Sequence, residues 1–243
     1  MEETLMHKII SNKNIAKDVF EMKLSGDTSK ITAPGQFINI KLDGFYLRRP
    51  ISVCDYNSDT ITIIYKTVGK GTEYMSDLKS GTELDVLCGL GNGFDTSKSG
   101  DKPLLIGGGV GVPPMYNLAK KLISENKKPA AVLGFNTADD IFYEKEFMDL
   151  GIEVKISTAD GSAHNKGFVT DIFPEDYTYF YTCGPIPMLK AVCDKTKTSG
   201  QLSFEERMGC GFGACMGCTC KTKYGDKRIC KDGPVLLKEE IIW

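Results

Sequence analysis

The stretch Glu205–Pro234, EERMGCGFGACMGCTCKTKYGDKRICKDGP, limits what this 243-residue chain can fold into more than any other. Five of the nine cysteines lie inside it. Cys210, Cys215 and Cys218 are spaced C-x4-C-x2-C, and Cys230 follows after eleven residues. Gly209, Gly211, Gly213, Ala214 and Gly217 fill the gaps, and only Phe212 and Met216 carry bulk. A loop this small lets backbone N–H groups approach sulfur closely, as the second shell of an iron–sulfur cluster requires. The spacing is that of plant-type [2Fe–2S] sites. Two other occupants compete: a four-cysteine zinc site, although such sites usually offer two short C-x2-4-C pairs, and disulfides, which need an oxidising compartment. Cys220 is left over as a non-ligand neighbour.

Length points to two domains of ordinary size, or two plus a small appendage. Hydrophobic content of 41% and charged content of 26% are those of a soluble globular protein. A net charge of -2 and a pI near 5.8 argue against a nucleic-acid partner. The N-terminal MEETLMHKII offers no signal-peptide core, and no apolar run approaches a membrane span. A reducing cytoplasm is the expected setting for the dispersed Cys54, Cys88, Cys183 and Cys193.

Residues 1–99 alternate short apolar runs with turn signals and are expected to form an antiparallel β-barrel. The runs are Val19–Leu24, Gln36–Leu42, Ile51–Asp55, Thr60–Thr67 and Glu83–Leu87. One helix, about Thr72–Leu78, is expected to start at Thr72 as its cap, with its N-terminus open to an anion. Arg48 and Arg49 could bring a guanidinium to the same pyrophosphate, but nothing in the sequence shows that the two segments meet.

From about 100 to 200 the pattern changes to alternating strands and helices, expected to form a doubly wound parallel sheet. Pro103–Ile106, Ala130–Phe135, Val154–Ser157 and Tyr179–Cys183 are the strands. Pro113–Glu125, Ile141–Leu150 and Pro187–Thr196 are the helices. Gly107-Gly108-Gly109-Val110-Gly111 between strand and helix is a dinucleotide-type turn, though Pro114 stands where a strict G-x-G-x-x-G has its last glycine. Asp139, Asp140 and Asp160 near the strand ends favour NADH over NADPH, because carboxylates repel a 2′-phosphate; they could equally cap helices. The only histidines, His7 and His164, form no catalytic constellation.

The ordered set LRRPIS (47–52), IIYKTVGKGT (63–72), GLGNGF (89–94), LLIGGGVGVPP (104–114), CGPIPML (183–189) and the cysteine loop resembles the ferredoxin reductase superfamily. Within it, the chain closely resembles the electron-transfer subunits of dihydroorotate dehydrogenase B, over essentially its whole length. The resemblance implies an FAD-binding barrel (1–99), an NAD-binding α/β domain (100–200) and a [2Fe–2S] domain (201–243). It implies that Arg49 meets the FAD pyrophosphate, with Pro50, Ile51 and Ser52 beside it and Ser52 near the isoalloxazine. Ile64, Tyr65 and Lys66 match the second FAD segment, and Gly71 and Thr72 the phosphate turn. Gly108, Gly109, Gly111, Cys183, Gly184 and Pro185 match the NAD(H) site, and Cys210, Cys215, Cys218 and Cys230 the cluster ligands. Lys66 stands where relatives often have arginine, and the Cys218–Cys230 loop is short for the family.

The implied function is electron transfer from NADH through FAD and the cluster to an FMN-containing dihydroorotate dehydrogenase catalytic subunit, in a heterotetramer with two of each chain. A related flavin and iron–sulfur reductase serving ferredoxin, sulfide or another acceptor, and a regulatory module that binds zinc and a nucleotide, are the competing readings.

Overall fold

The computed structural model describes residues 5–243. Its first part is a closed antiparallel barrel. The strands are β1 (Leu5–Ala16), β2 (Val19–Ser25), β3 (Phe37–Ile40), β4 (Arg49–Tyr56), β5 (Thr60–Lys66) and, after helix α1 (Lys70–Asp77), β6 (Glu83–Leu90). Around the barrel they run β1-β2-β5-β4-β3-β6. In β5 the period of two divides the labour: Ile61, Ile63 and Tyr65 fill the barrel with Met22, Leu24, Ile38 and Ile40. Burying each isoleucine contributes about 1.5–3 kcal/mol relative to leaving it in water. Ile64, on the opposite face, joins Val19 and Cys54 in a second core that continues into the next domain.

Helix α1 begins two residues before the expected Thr72, at Lys70. Thr72 is not its cap. The Thr72 hydroxyl accepts from the Val68 amide at 2.9 Å and donates to the Gly69 carbonyl at 3.0 Å, closing the turn that leads out of β5.

The second part comprises β7 (Pro103–Gly108), α2 (Val112–Ser124), β8 (Ala130–Phe135), α3 (Glu144–Asp149), β9 (Glu153–Thr158), β10 (Asn165–Lys166), β11 (Tyr179–Cys183), α4 (Ile186–Lys195) and β12 (Gly200–Ser203). A hairpin of β13 (Thr219–Thr222) and β14 (Gly225–Arg228) follows, and then β15 (Val235–Leu237). The main sheet runs β10-β9-β8-β7-β11-β12-β15, parallel except for β15, which pairs antiparallel with β12. All six residues of β7 are buried, as expected of a strand covered on both faces. Helix α2 presents Val112, Met115, Leu118, Ala119 and Leu122 to the core, one stripe at helical spacing, with prolines tolerated in its first turn. Helix α3 is shorter than the expected Ile141–Leu150 because Tyr143, just before it, takes a φ of 64°.

The last forty residues do not stand apart. Cys218, Ile229, Cys230, Leu236 and Ile241 share one buried cluster with Phe37, Leu87 and Leu90 of the barrel. The cysteine segment is thereby packed directly against the strands β3 and β6.

Candidate functional site

The two weak signals in the barrel meet. A Cβ added to Gly71 would lie 2.1 Å from Arg49 Nε, so the guanidinium rests on the first turn of α1. Only a glycine at 71 leaves it that room. The Arg49 guanidinium also stacks over the Phe45 ring at 4.9 Å and donates to the Leu47 carbonyl. Its neighbour Arg48 is committed elsewhere, ion-paired with Asp85 at 2.9 Å and donating to the Asp85 carbonyl at 3.0 Å. Arg49 makes no carboxylate pair among the described residues, which leaves its charge and the N-terminal amides of α1 aimed at one place. That arrangement fits a pyrophosphate.

Pro50, Ile51 and Ser52 follow on β4, half-buried and opposite Asn39, Ile38 and Phe37. Tyr65 points inward. Its hydroxyl donates to Asn12 Oδ1 at 2.9 Å, and burial pushes its pKa up to about 12. Asn12 in turn donates to the carbonyls of Met75 and Leu78 at 2.8 and 3.1 Å, so Tyr65 holds the C-terminal end of α1. Lys66 crosses to the second domain and pairs with Asp140 at 3.4 Å.

The strand order reverses between β7 and β11, the place where open parallel sheets bind ligands. A cavity of about 430 Å³ opens beside it. Gly108, Gly109, Pro185, Met188, Ser157 and Phe168 are among its walls, together with Lys66 and Asp140. Gly111 and Cys183, which are not among its walls, meet each other: a Cβ on Gly111 would fall 2.2 Å from the Cys183 carbonyl oxygen. Gly184 lies against Met188 and the Gly108 amide. Burial pushes the Cys183 thiol up to about 12, so it is a packing group there. The Ser157 hydroxyl is buried, has no hydrogen-bond partner and lines the cavity. Asp140 ties itself to Thr137 and Lys66, and Asp160 accepts from the Ser162 amide at 2.9 Å. Asp140 thus closes a capping box with Thr137 on the short helical turn Ala138–Asp140, whereas Asp160 closes a loop turn and caps no helix.

The four cysteines form two pairs. The Cys210 amide points at Cys215 Sγ at 3.4 Å, while the amides of Ala214 and Cys215 point at Cys210 Sγ at 3.2 and 3.4 Å. Cys218 and Cys230 are in contact, sulfur to sulfur, at 3.2 Å, and the Cys230 amide points at Cys218 Sγ. Burial raises the Cys210 thiol, but the amides of Cys215, Phe212 and Ala214 outweigh it and bring it down to about 6. Burial and the adjacent Cys218 push Cys230 up to about 12. Among the described residues no three of His, Cys, Asp and Glu converge on a point that would hold one metal ion. Two pairs of thiols with amides aimed at sulfur fit a two-iron core, which takes two thiolates on each iron, better than a single tetrahedral zinc.

The barrel grips this loop at both ends. Asn39 donates to the Cys210 carbonyl at 3.4 Å. Asn92, from GLGNGF, donates to the Val235 carbonyl at 2.8 Å and accepts from the Val235 amide at 3.1 Å.

Residues 205–242 match the iron–sulfur cluster binding domain of dihydroorotate dehydrogenase B, and residues 105–194 the oxidoreductase NAD-binding domain. The electron transfer subunit of dihydroorotate dehydrogenase B (NAD(+)) from Fusobacterium nucleatum is 44% identical over 247 residues, covering 95% of each chain. Its counterpart from Geobacillus sp. is 43% identical, covering 96% of each.

The chain belongs to the family of dihydroorotate dehydrogenase B electron-transfer subunits.

A solved structure described as an NADH-dependent reduced ferredoxin-NADP oxidoreductase, studied for flavin-based electron bifurcation, superposes with a TM-score of 0.88 at 32% identity; the match covers 100% of this chain and 92% of that one. Phthalate dioxygenase reductase shares the fold at a TM-score of 0.65 and 21% identity, covering 79% of this chain and 64% of its own. For this member of the family the sequence pointed to the glycines, the arginine and the cysteines. It did not point to Asn39 or Ser157, nor to the partners that Asn92, Lys66 and Asp140 find. Asn39 and Ser157 are single polar residues in otherwise ordinary strands, and only the fold brings the other three to their partners.

Proposed function

We propose that this chain takes electrons from NADH and delivers them to a separate FMN-containing catalytic subunit that interconverts dihydroorotate and orotate. We place the complex in the cytoplasm with two copies of each chain. When bound, FAD supplies hydride acceptance and the [2Fe–2S] cluster supplies one-electron carriage; the chain supplies position and environment. Arg49 and the first turn of α1, at Gly71 and Thr72, neutralise the FAD pyrophosphate, and Pro50, Ile51 and Ser52 with Lys66 and the β5 backbone at Ile64 and Tyr65 shape the flavin's seat. Gly108, Gly109 and Gly111 let the nucleotide approach the end of β7, and Cys183, Gly184 and Pro185 close the opposite side. Cys210, Cys215, Cys218 and Cys230 hold the cluster.

The single observation that carries this reading is the packing of two thiol pairs on the flavin barrel. The loop's outer side carries exposed Phe212 and Met216, which suits it to a protein acceptor. Neither histidine is placed as a base for dihydroorotate chemistry: His7 is buried in the barrel, and His164 is engaged with Glu144 at 3.3 Å. The experiment is NADH-dependent orotate reduction with and without the catalytic subunit. Activity only with both chains is expected; full activity from this chain alone contradicts the proposal.

A second reading, electron delivery to a ferredoxin, is favoured by the full-length likeness to the NADH-dependent ferredoxin-NADP oxidoreductase. Reduction of ferredoxin faster than of the catalytic subunit's flavin would select it.

A further inference from the structure

Asn39 lies on β3, 1% exposed, between residues that are otherwise apolar: Phe37, Ile38 and Ile40. Its backbone pairs with Pro50 on β4, the strand that carries the flavin motif. Its side-chain amide donates to the Cys210 carbonyl at 3.4 Å. One residue therefore touches both the flavin strand and the first cysteine of the loop. Gly211, at φ +81°, brings the loop so close that a Cβ there would lie 2.2 Å from Asn39 Nδ2. From the other side Arg48, held by Asp85, donates to the Asn39 carbonyl at 3.3 Å.

The Asn39 Oδ1 atom is buried with no partner. A buried acceptor left unpaired is a cost, and an apolar side chain of the same size would avoid it. The amide donor is the part of this side chain with a job.

We infer that Asn39 is a positioning residue: it fixes the height of the cysteine loop above the flavin strand, and with it the gap that single electrons cross. The inference rests on the reading of Cys210, Cys215, Cys218 and Cys230 as cluster ligands. Electron tunnelling falls steeply with distance, so a loop held slightly further off would slow transfer even with both cofactors bound.

The test uses the holoprotein with Asn39→Leu, which keeps the branched shape of the side chain and removes both polar atoms, and with Asn39→Ala, which removes the donor without adding bulk or charge and serves should the leucine variant fail to accumulate. Three readouts apply: the electron paramagnetic resonance spectrum of the dithionite-reduced cluster, the rate of cluster reduction after flash reduction of the flavin, and hydrogen exchange at residues 209–217. Shifted or broadened g-values, a rate lowered tenfold or more, and faster exchange confined to 209–217 are expected. Variants that keep the wild-type spectrum and rate overturn the inference, even if they melt at a lower temperature, because a merely structural asparagine would do that. A wild-type protein with no [2Fe–2S] signal would instead overturn the ligand reading on which it stands.

Discussion

The Arg49 guanidinium occupies the space that a side chain on Gly71 would need, with Nε 2.1 Å from the missing Cβ. Gly71→Ala must displace the guanidinium, a flexible group, and leaves the backbone in place. Alanine in a helix is favoured over glycine by about 0.5–1 kcal/mol, so the melting temperature without FAD should hold or rise. FAD affinity should fall tenfold or more, as for a lost charge-assisted hydrogen bond of about 1.5–3 kcal/mol. Flavin fluorescence titration beside thermal melting reads the two opposite signs.

Gly111→Ala has no such escape. The new methyl would stand 2.2 Å from the Cys183 carbonyl oxygen, and both partners are backbone. The turn that leads into α2 must part from the end of β11, at a cost of about 1–3 kcal/mol typical of overpacking. Urea unfolding should show this loss, together with weaker NADH binding.

The barrel and the nucleotide domain are joined by polar contacts of unequal weight. The Tyr143 hydroxyl donates to Glu21 Oε2 at 2.8 Å, and the Glu21 side chain is 16% exposed. Lys120 pairs with Asp55 at 2.6 Å, with side chains 40% and 28% exposed. Tyr143→Phe should therefore cost about 1.5–3 kcal/mol, as for a hydrogen bond to a charged group. A double-mutant cycle on Lys120 and Asp55 should return about 0.2–1 kcal/mol and shrink in high salt. Equal values for both would contradict the ranking.

Burial pushes the thiols of Cys88 and Cys193 up to about 11 each. Both are raised above the unfolded value near 8.5, so between about pH 8.5 and 11 the unfolded chain sheds protons that the native chain keeps. Stability must then fall as pH rises, by up to about 1.4 kcal/mol per pH unit for each thiol. Melting temperatures from pH 7 to 10 check this, with a Cys88→Ala, Cys193→Ala double variant expected to show a shallower decline.

The barrel, the parallel sheet and the cysteine loop were all legible, because period-two alternation, strand–glycine–helix order and thiol spacing are local signals. What escaped was set by distant partners. β1 was missed since Ser11, Asn12, Lys13 and Asn14 look like a loop; Asn12 is tolerated in the strand because it bonds Tyr65 and the end of α1. Thr72 looked like a cap, but the chain turns two residues earlier and uses its hydroxyl inside the turn. β15 gave no signal of joining the large sheet, being three residues long and paired with β12 over thirty positions away. The meeting of Arg49 with Gly71, and the division of the cysteines into two pairs, likewise depend on segments that the sequence leaves unconnected.

The most direct measurement is an anaerobic visible spectrum of the purified chain before and after one equivalent of NADH. An electron-transfer subunit gives flavin absorbance overlapped by iron–sulfur bands, bleached on addition of NADH, with an iron-dependent paramagnetic signal in the reduced sample. A colourless protein containing zinc, or colour that NADH does not bleach, would contradict it.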